Sequence, residues 1–208
     1  MSSLPLRYTP VVDDSEELAR ADVYGLLAQL FYAPPSQALY EQLRTACTQT
    51  PAPGGLLEAS WSELVNAARR LPHEQVENEY DALFQGIGKP EVFLYASHHL
   101  AGALNEQPLV ALRHTLRRLG LTRSEGMAET EDHFAYLCEV MRYLIAGEDL
   151  AVSNLETQKQ FFDAHLREWP QAMCQQLAQH PAADFYRAVA GFAQAFIAVE
   201  SQGFDLLE

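Results

Sequence analysis

Residues 126–147 read Gly-Met-Ala-Glu-Thr-Glu-Asp-His-Phe-Ala-Tyr-Leu-Cys-Glu-Val-Met-Arg-Tyr-Leu-Ile-Ala-Gly. Glu129, Glu131, Asp132 and His133 crowd the start of the stretch, which then turns apolar. Phe134, Leu137, Met141 and Leu144 recur at steps of three and four, the spacing that puts side chains on one face of an α-helix. Thr130 is the expected N-cap, its hydroxyl accepting from a free N–H of the first turn. Glu131 and Asp132 then fall where the helix dipole favours negative charge. Gly147 is the expected stop, because glycine enters the left-handed region without a Cβ clash. The result is a bounded helix with an acidic, histidine-bearing entrance.

The same period extends in both directions. Ser15 to Tyr32 carries Leu18, Ala21, Gly25, Leu26 and Leu30 at helical spacing, with Asp22 interrupting the stripe, and Pro34-Pro35 ends it. A short helix is expected from Ser36 to about Cys47, and Pro51 to Gly55 is a break. Leu57 to Leu71 shows Trp61, Leu64, Val65 and Ala68 on one side. Pro72 is suited to start the next helix, which runs through Val76, Tyr80, Leu83 and Phe84 to Gly86. Leu109 to Leu119 follows, then a glycine-bearing loop. Beyond Gly147, helices are expected from about Leu150 to Arg167 and from Pro181 to about Glu200. Strand-like alternation with hairpin signals and repeats of 20–50 residues are both missing. The reading is all-α: a single globular bundle of nine to eleven helices over residues 1–208. Within it, residues 1–119 form an N-terminal portion, 120–128 a hinge and 129–208 a C-terminal portion.

Bulk properties narrow the function. The 208 residues are 48% hydrophobic and 20% charged, which fits a folded chain rather than a disordered one. Net charge is −14, from 28 acids against 14 bases, so nucleic acid is an unsuitable partner and cationic partners are favoured. Cys47, Cys138 and Cys174 are odd in number, far apart and without a Cys-x-x-Cys, as expected of thiols in a reducing compartment. Residues 1–14 lack a signal-peptide core, and Ala188 to Val199 falls short of the ~18 apolar residues that span a bilayer. A cytoplasmic protein with no membrane insertion is expected.

Little in the chain resembles catalytic apparatus. The glycines before Lys89 miss the phosphate-loop pattern, since Leu83 and Pro90 stand at its key positions. His98 and His99 are adjacent, so on a helix they diverge by ~100° and do not share one ion. Metal-site spacings such as His-Glu-x-x-His and clustered cysteines do not occur. Cys138 sits inside an apolar pattern, and Ser97 beside two histidines lacks a nucleophile elbow. No enzyme activity, cofactor or metal is expected. Tyr80, Phe84 and Tyr95 have the spacing of core aromatics, although tyrosine also suits a groove wall with its apolar ring and wet hydroxyl. On position alone, Asp132 complements a helix dipole and His133 bonds locally.

Glu129-x-Glu131-Asp132-His133 followed by Met141 and Leu144 resembles the signature of the TorD/DmsD family of redox-enzyme maturation chaperones. That family usually has proline where this chain has Thr130, and Glu-Leu-x-Phe-Met where this chain has Leu137 to Met141. The run Glu79-Tyr80-x-x-Leu83-Phe84-x-Gly86-x-Gly88 is similar to a second family segment. Tyr95 and Ser97 match the Pro-Tyr-Glu-Ser that usually follows it, whereas Leu94 and Ala96 depart from it. Leu30-Phe31-Tyr32-x-Pro34-Pro35 looks like the end of the family's first helix. Phe161-Phe162-x-x-His165-Leu166-x-x-Trp169-Pro170 and then Phe185-Tyr186 extend the likeness to about residue 200. The resemblance implies a cytoplasmic chaperone that binds the precursor of a molybdenum-containing oxidoreductase through its twin-arginine signal peptide. It further implies that Asp132 and His133 flank the recognition groove. Glu129, Glu131 and Asp132 are then candidates to pair with client arginines, and Tyr80, Phe84 and Tyr95 to line the groove. Oligomeric state is left between a monomer and a domain-swapped dimer. Two other classes stand beside this reading: a helical scaffold or regulator of a folded partner, and a metal-dependent hydrolase.

Overall fold

The computed structural model describes residues 14–48, 55–86, 89–124 and 126–207. The N-terminal segment before Asp14, most of the Pro51–Gly55 break and Gly88 of the Glu79 run lie outside these. Ten helices form among the described residues: α1 Asp14–Tyr32, α2 Gln37–Thr45, α3 Glu58–Arg70, α4 His73–Phe84, α5 Ala96–Ala101, α6 Gln107–Arg118, α7 Phe134–Ala146, α8 Leu155–His165, α9 Pro170–Gln179 and α10 Phe185–Asp205. The all-α bundle is as expected. α5 and α9 are additions to the individually expected helices; α5 spans six residues, too few for periodicity to reveal it.

α1 and α7 form the central pair. α7 buries Phe134, Leu137, Met141 and Leu144, the stripe expected of it, together with Ala135, Cys138 and Val140. α1 departs from expectation. Its buried face is Ala21, Tyr24, Leu27, Ala28, Leu30 and Phe31, while Leu18 is exposed. Its second half is apolar almost all round, so the period alone could not select the face. Gly25 leaves room for a side chain of α7 to lie across α1, since a Cβ there would stand 2.9 Å from Arg142 Cδ.

Helix termini account for several buried polar groups. Glu79 of α4 is buried and accepts the N–H groups of Asp184 (2.8 Å), Phe185 (3.0 Å) and Tyr186 (2.7 Å) at the start of α10. These are donors that a helix N-terminus leaves without internal partners. Glu79 in the Glu-Tyr-x-x-Leu-Phe run is therefore a cap supplied from another helix. The Tyr40 hydroxyl donates to the Leu71 carbonyl (2.7 Å), and that of Tyr186 to the Leu30 carbonyl (3.0 Å).

Three expected boundaries are corrected. Helix α8 starts at Leu155 rather than Leu150, because the Asn154 side chain accepts from Thr157 N–H and fixes the N-cap there. Helix α10 starts at Phe185 rather than Pro181, where Glu79 supplies the cap. Gly147 is extended (φ −72°, ψ 152°), not left-handed. Its glycine requirement is steric, since a Cβ would meet Ser153 Oγ at 2.4 Å and the Tyr143 carbonyl at 2.6 Å.

Left-handed glycine stops occur instead at the ends of α5, at Gly102 (φ +79°), and of α6. Gly120 takes φ +70°, with Leu121 N–H bonded to Leu116 O (2.9 Å) and Gly120 N–H to Arg117 O (3.2 Å). These two bonds make a Schellman motif. They launch the segment from which Thr122, Ser124, Gly126 and Met127 come to lie against α1 and α7.

Candidate functional site

Asp132 and His133 precede α7 rather than entering its first turn. The N-cap is His133, not Thr130: its Nδ1 accepts from Ala135 N–H at 3.2 Å. Thr130 closes a turn beneath it, its carbonyl accepting His133 N–H (3.1 Å) and its hydroxyl donating to Asp132 Oδ1 (2.7 Å). Asp132 caps α5, since its Oδ2 accepts Ser97 N–H (2.9 Å) and its carbonyl accepts Ala96 N–H (3.0 Å). Phe134 N–H returns a bond to Leu94 O (2.8 Å), and Tyr95 and His133 pair as an isolated antiparallel bridge. One dipeptide thus holds the starts of two helices together. The role expected from position alone, a carboxylate near a dipole, is replaced by a cap on a helix distant in sequence.

Burial follows from this geometry. Asp132 is 1% exposed and His133 4% exposed. Burial drives the His133 pKa down to about 4, against the pull of Glu129 and Asp132. The ring is therefore neutral at pH 7, which agrees with Nδ1 acting as an acceptor.

The other expected residues divide between wall and core. Glu129 accepts a hydrogen bond from the Tyr95 hydroxyl. Burial, then this bond, raises the Tyr95 pKa. The Tyr95 ring meets His133 edge-on at 5.0 Å. Glu131 is ion-paired to Arg113 at 2.8 Å. Burial pushes the Glu131 carboxyl up, but the bond and charge of Arg113 outweigh it and hold the pKa below its ordinary value. Tyr80 is 3% exposed, with its hydroxyl on Phe31 O (3.3 Å), and burial raises its pKa. Phe84 is half-buried against Phe31, Tyr80 and Tyr186. The structure brings Glu129, Tyr95, Asp132 and His133 together, with Tyr80 close enough for the Glu129 charge to add to the rise in its pKa, while the rings of Tyr80 and Phe84 pack in an aromatic cluster with Tyr186.

Beside the Glu129–Tyr95–His133 group lies an apolar cleft of about 460 Å³. Its walls are Ala28, Gln29 and Tyr32 of α1, Ala135, Tyr136 and Glu139 of α7, and Thr122 and Met127 of the 120–128 loop. Ala28 and Ala135 keep their helix faces low, and the loop rises over them. Tyr32, 43% exposed, joins the cleft to the buried group because its ring stands edge-on to His133 at 6.5 Å. Arg123 ties the loop down by donating to Glu129 O (2.9 Å). Sequence reasoning missed Gln29, Tyr32, Met127, Tyr136 and Glu139 as cleft residues. Tyr32 and Tyr136 did carry a signal, as aromatics standing off the main buried stripe near helix ends, Tyr32 at the end of α1 and Tyr136 in the first turn of α7.

The histidines and the serine weighed in the sequence are placed as follows. The His98 ring stacks on Phe93 (4.1 Å) and His99 Nε2 lies 2.8 Å from Phe93 O, while Ser97 Oγ has no hydrogen bond to either imidazole. Among the described residues no group of three His, Cys, Asp or Glu side chains is arranged to hold a metal ion. Among them, too, no helix is long and apolar enough to cross a membrane.

Comparison with known proteins gives concordant results. The profile of the nitrate reductase delta subunit family matches residues 51–175, more than half of the chain. Proteins named chaperone protein TorD from three strains of Vibrio cholerae serotype O1, classical Ogawa and El Tor Inaba among them, are similar along nearly the whole length. Each is 28% identical over 204 residues, covering 90% of this chain and 93% of the relative.

Proposed function

This chain belongs to the nitrate reductase delta subunit family, in which the TorD chaperones fall, and from that premise we propose that it is a maturation chaperone holding an unfinished redox-enzyme precursor. It is a binding protein rather than an enzyme. Its client is the precursor of a molybdenum-containing oxidoreductase, engaged in the cytoplasm before cofactor insertion and export are complete. The segment bound is the precursor's signal peptide, with two arginines followed by an apolar stretch.

The observation that carries this reading is the apolar cleft between α1, the 120–128 loop and α7, set against the Glu129–Tyr95–His133 group. Magnitudes assign the roles. Burying apolar surface gains roughly 25 cal/mol per Å², so one side chain covering ~100 Å² contributes about 2.5 kcal/mol. An exposed ion pair contributes only ~0.2–1 kcal/mol. Apolar side chains of the client supply most of the affinity, and charge supplies register. Asp132 and His133 act from beneath, by fixing where α5 and α7 begin and hence where Tyr95 stands, while the His133 ring meets Tyr32 edge-on.

The test is binding of a fluorescent synthetic peptide, two arginines followed by an apolar stretch, to the full chain. Tyr32→Ala and Tyr136→Ala each remove a ring from the cleft wall and are expected to weaken binding roughly tenfold, with far-UV circular dichroism unchanged. Undiminished affinity in both variants would exclude the cleft as the peptide site.

A further inference from the structure

The carboxylates near the cleft differ in how they are held. Glu129 is bonded by Tyr95, Glu131 by Arg113, and Asp132 is buried as a helix cap. Glu139 stands on the cleft wall itself, one turn beyond Tyr136 and Ala135 on α7. Its partner is Arg142 of the same helix, whose Nε (2.9 Å) and Nη2 (2.7 Å) both converge on Oε2. Both side chains are about half exposed. The Arg142 stem crosses α1 at Gly25, the position where a Cβ would stand 2.9 Å from Arg142 Cδ. A guanidinium is thus parked at the edge of an apolar cleft, on the carboxylate that lines it.

We propose that Glu139 is the residue that reads an arginine of the bound segment, and that Arg142 is a built-in placeholder displaced when the segment docks. The proposal rests on the reading of the cleft as a peptide groove and names the charge-recognising residue within it. Exchange of one guanidinium for another on an exposed carboxylate is nearly balanced, because such a pair is weak and reversible in water. The balance tips when the client's apolar side chains cover the cleft and exclude solvent around Oε1 and Oε2, which strengthens the new pair. The displaced Arg142 regains water at small cost, since its side chain is already about half exposed. A net charge of −14 favours approach of a cationic segment to the chain as a whole. Glu139 favours arginine over lysine, because a planar fork can engage both carboxylate oxygens at once.

The experiment uses the full chain and two labelled synthetic peptides with the same apolar stretch, one preceded by two arginines and the other by two citrullines. Citrulline keeps the shape of arginine and removes the charge. Fluorescence anisotropy is expected to give about a fivefold preference for the arginine peptide. Glu139→Gln brings the two peptides to within about a factor of two of each other. Arg142→Gln keeps the stem over Gly25 but frees the carboxylate, so the preference for the arginine peptide rises about twofold. The two substitutions move the preference in opposite directions, which a general structural disturbance would not do. Retained preference in Glu139→Gln, or a reduced one in Arg142→Gln, overturns the proposal. Equal binding of both peptides by the unsubstituted chain overturns it while leaving the groove intact, and no binding of either peptide overturns both.

Discussion

Replacing Glu79 tests whether a signature-like acid is held for architecture rather than recognition. Its carboxylate accepts three N–H groups at the start of α10, at 2.8, 3.0 and 2.7 Å, and two of these belong to the buried residues Phe185 and Tyr186. In Glu79→Ala the two buried donors lose their acceptor at ~1–2 kcal/mol each. The half-buried Asp184 N–H and the lost charge at the helix N-terminus add ~1 kcal/mol together. Relief from burying a carboxylate returns ~1 kcal/mol of this. The net loss is about 3 kcal/mol, or roughly 6–12 °C in Tm for a chain of this size. Glu79→Gln keeps one carbonyl acceptor for at most two of the donors, so it loses about 1–2 kcal/mol. Urea unfolding followed by far-UV circular dichroism reads both values, with an unchanged m-value as the check that the unfolded state is comparable. A loss below about 1 kcal/mol in Glu79→Ala, or equal losses in the two variants, would refute the capping account.

Two further perturbations follow from the same structure. Burial lowers the pKa of His133 and of His165 to about 4. Both are therefore neutral in the folded chain, whereas in the unfolded chain they take up protons near pH 6.5. Their contribution to stability is complete above pH 6.5 and is lost as pH falls toward 4, at about 1.4 kcal/mol per pH unit for each histidine. Chemical unfolding between pH 7 and 5 is expected to show this slope, and His165→Gln to reduce it; a flat profile would contradict the burial of both rings. Gly147→Ala places a Cβ against Ser153 Oγ and the Tyr143 carbonyl at an unstrained φ of −72°, and is expected to cost about 2 kcal/mol. Adding Ser153→Ala should recover only some of that in thermal unfolding, because the carbonyl stays in place.

The sequence alone determined the class of fold and most of its helices. Phe134, Leu137, Met141 and Leu144 buried as their spacing required, because an amphipathic period is a local property that any packing partner must satisfy. The Asp132-His133 pair was also legible as a special position, although its action was not. Thr130 looked like a cap by type and place, yet His133 is the cap, and the neighbouring carboxylate serves α5 instead. Which N–H a carboxylate reaches depends on chain segments more than thirty residues apart coming together, and local pattern carries no record of that. Glu79 shows the same limit, since its three partners lie more than a hundred residues onward. The cleft was the least legible feature. Alanines from both α1 and α7 line it beside a segment that follows Gly120, and small residues are written identically whether a partner fills the space above them or leaves it open.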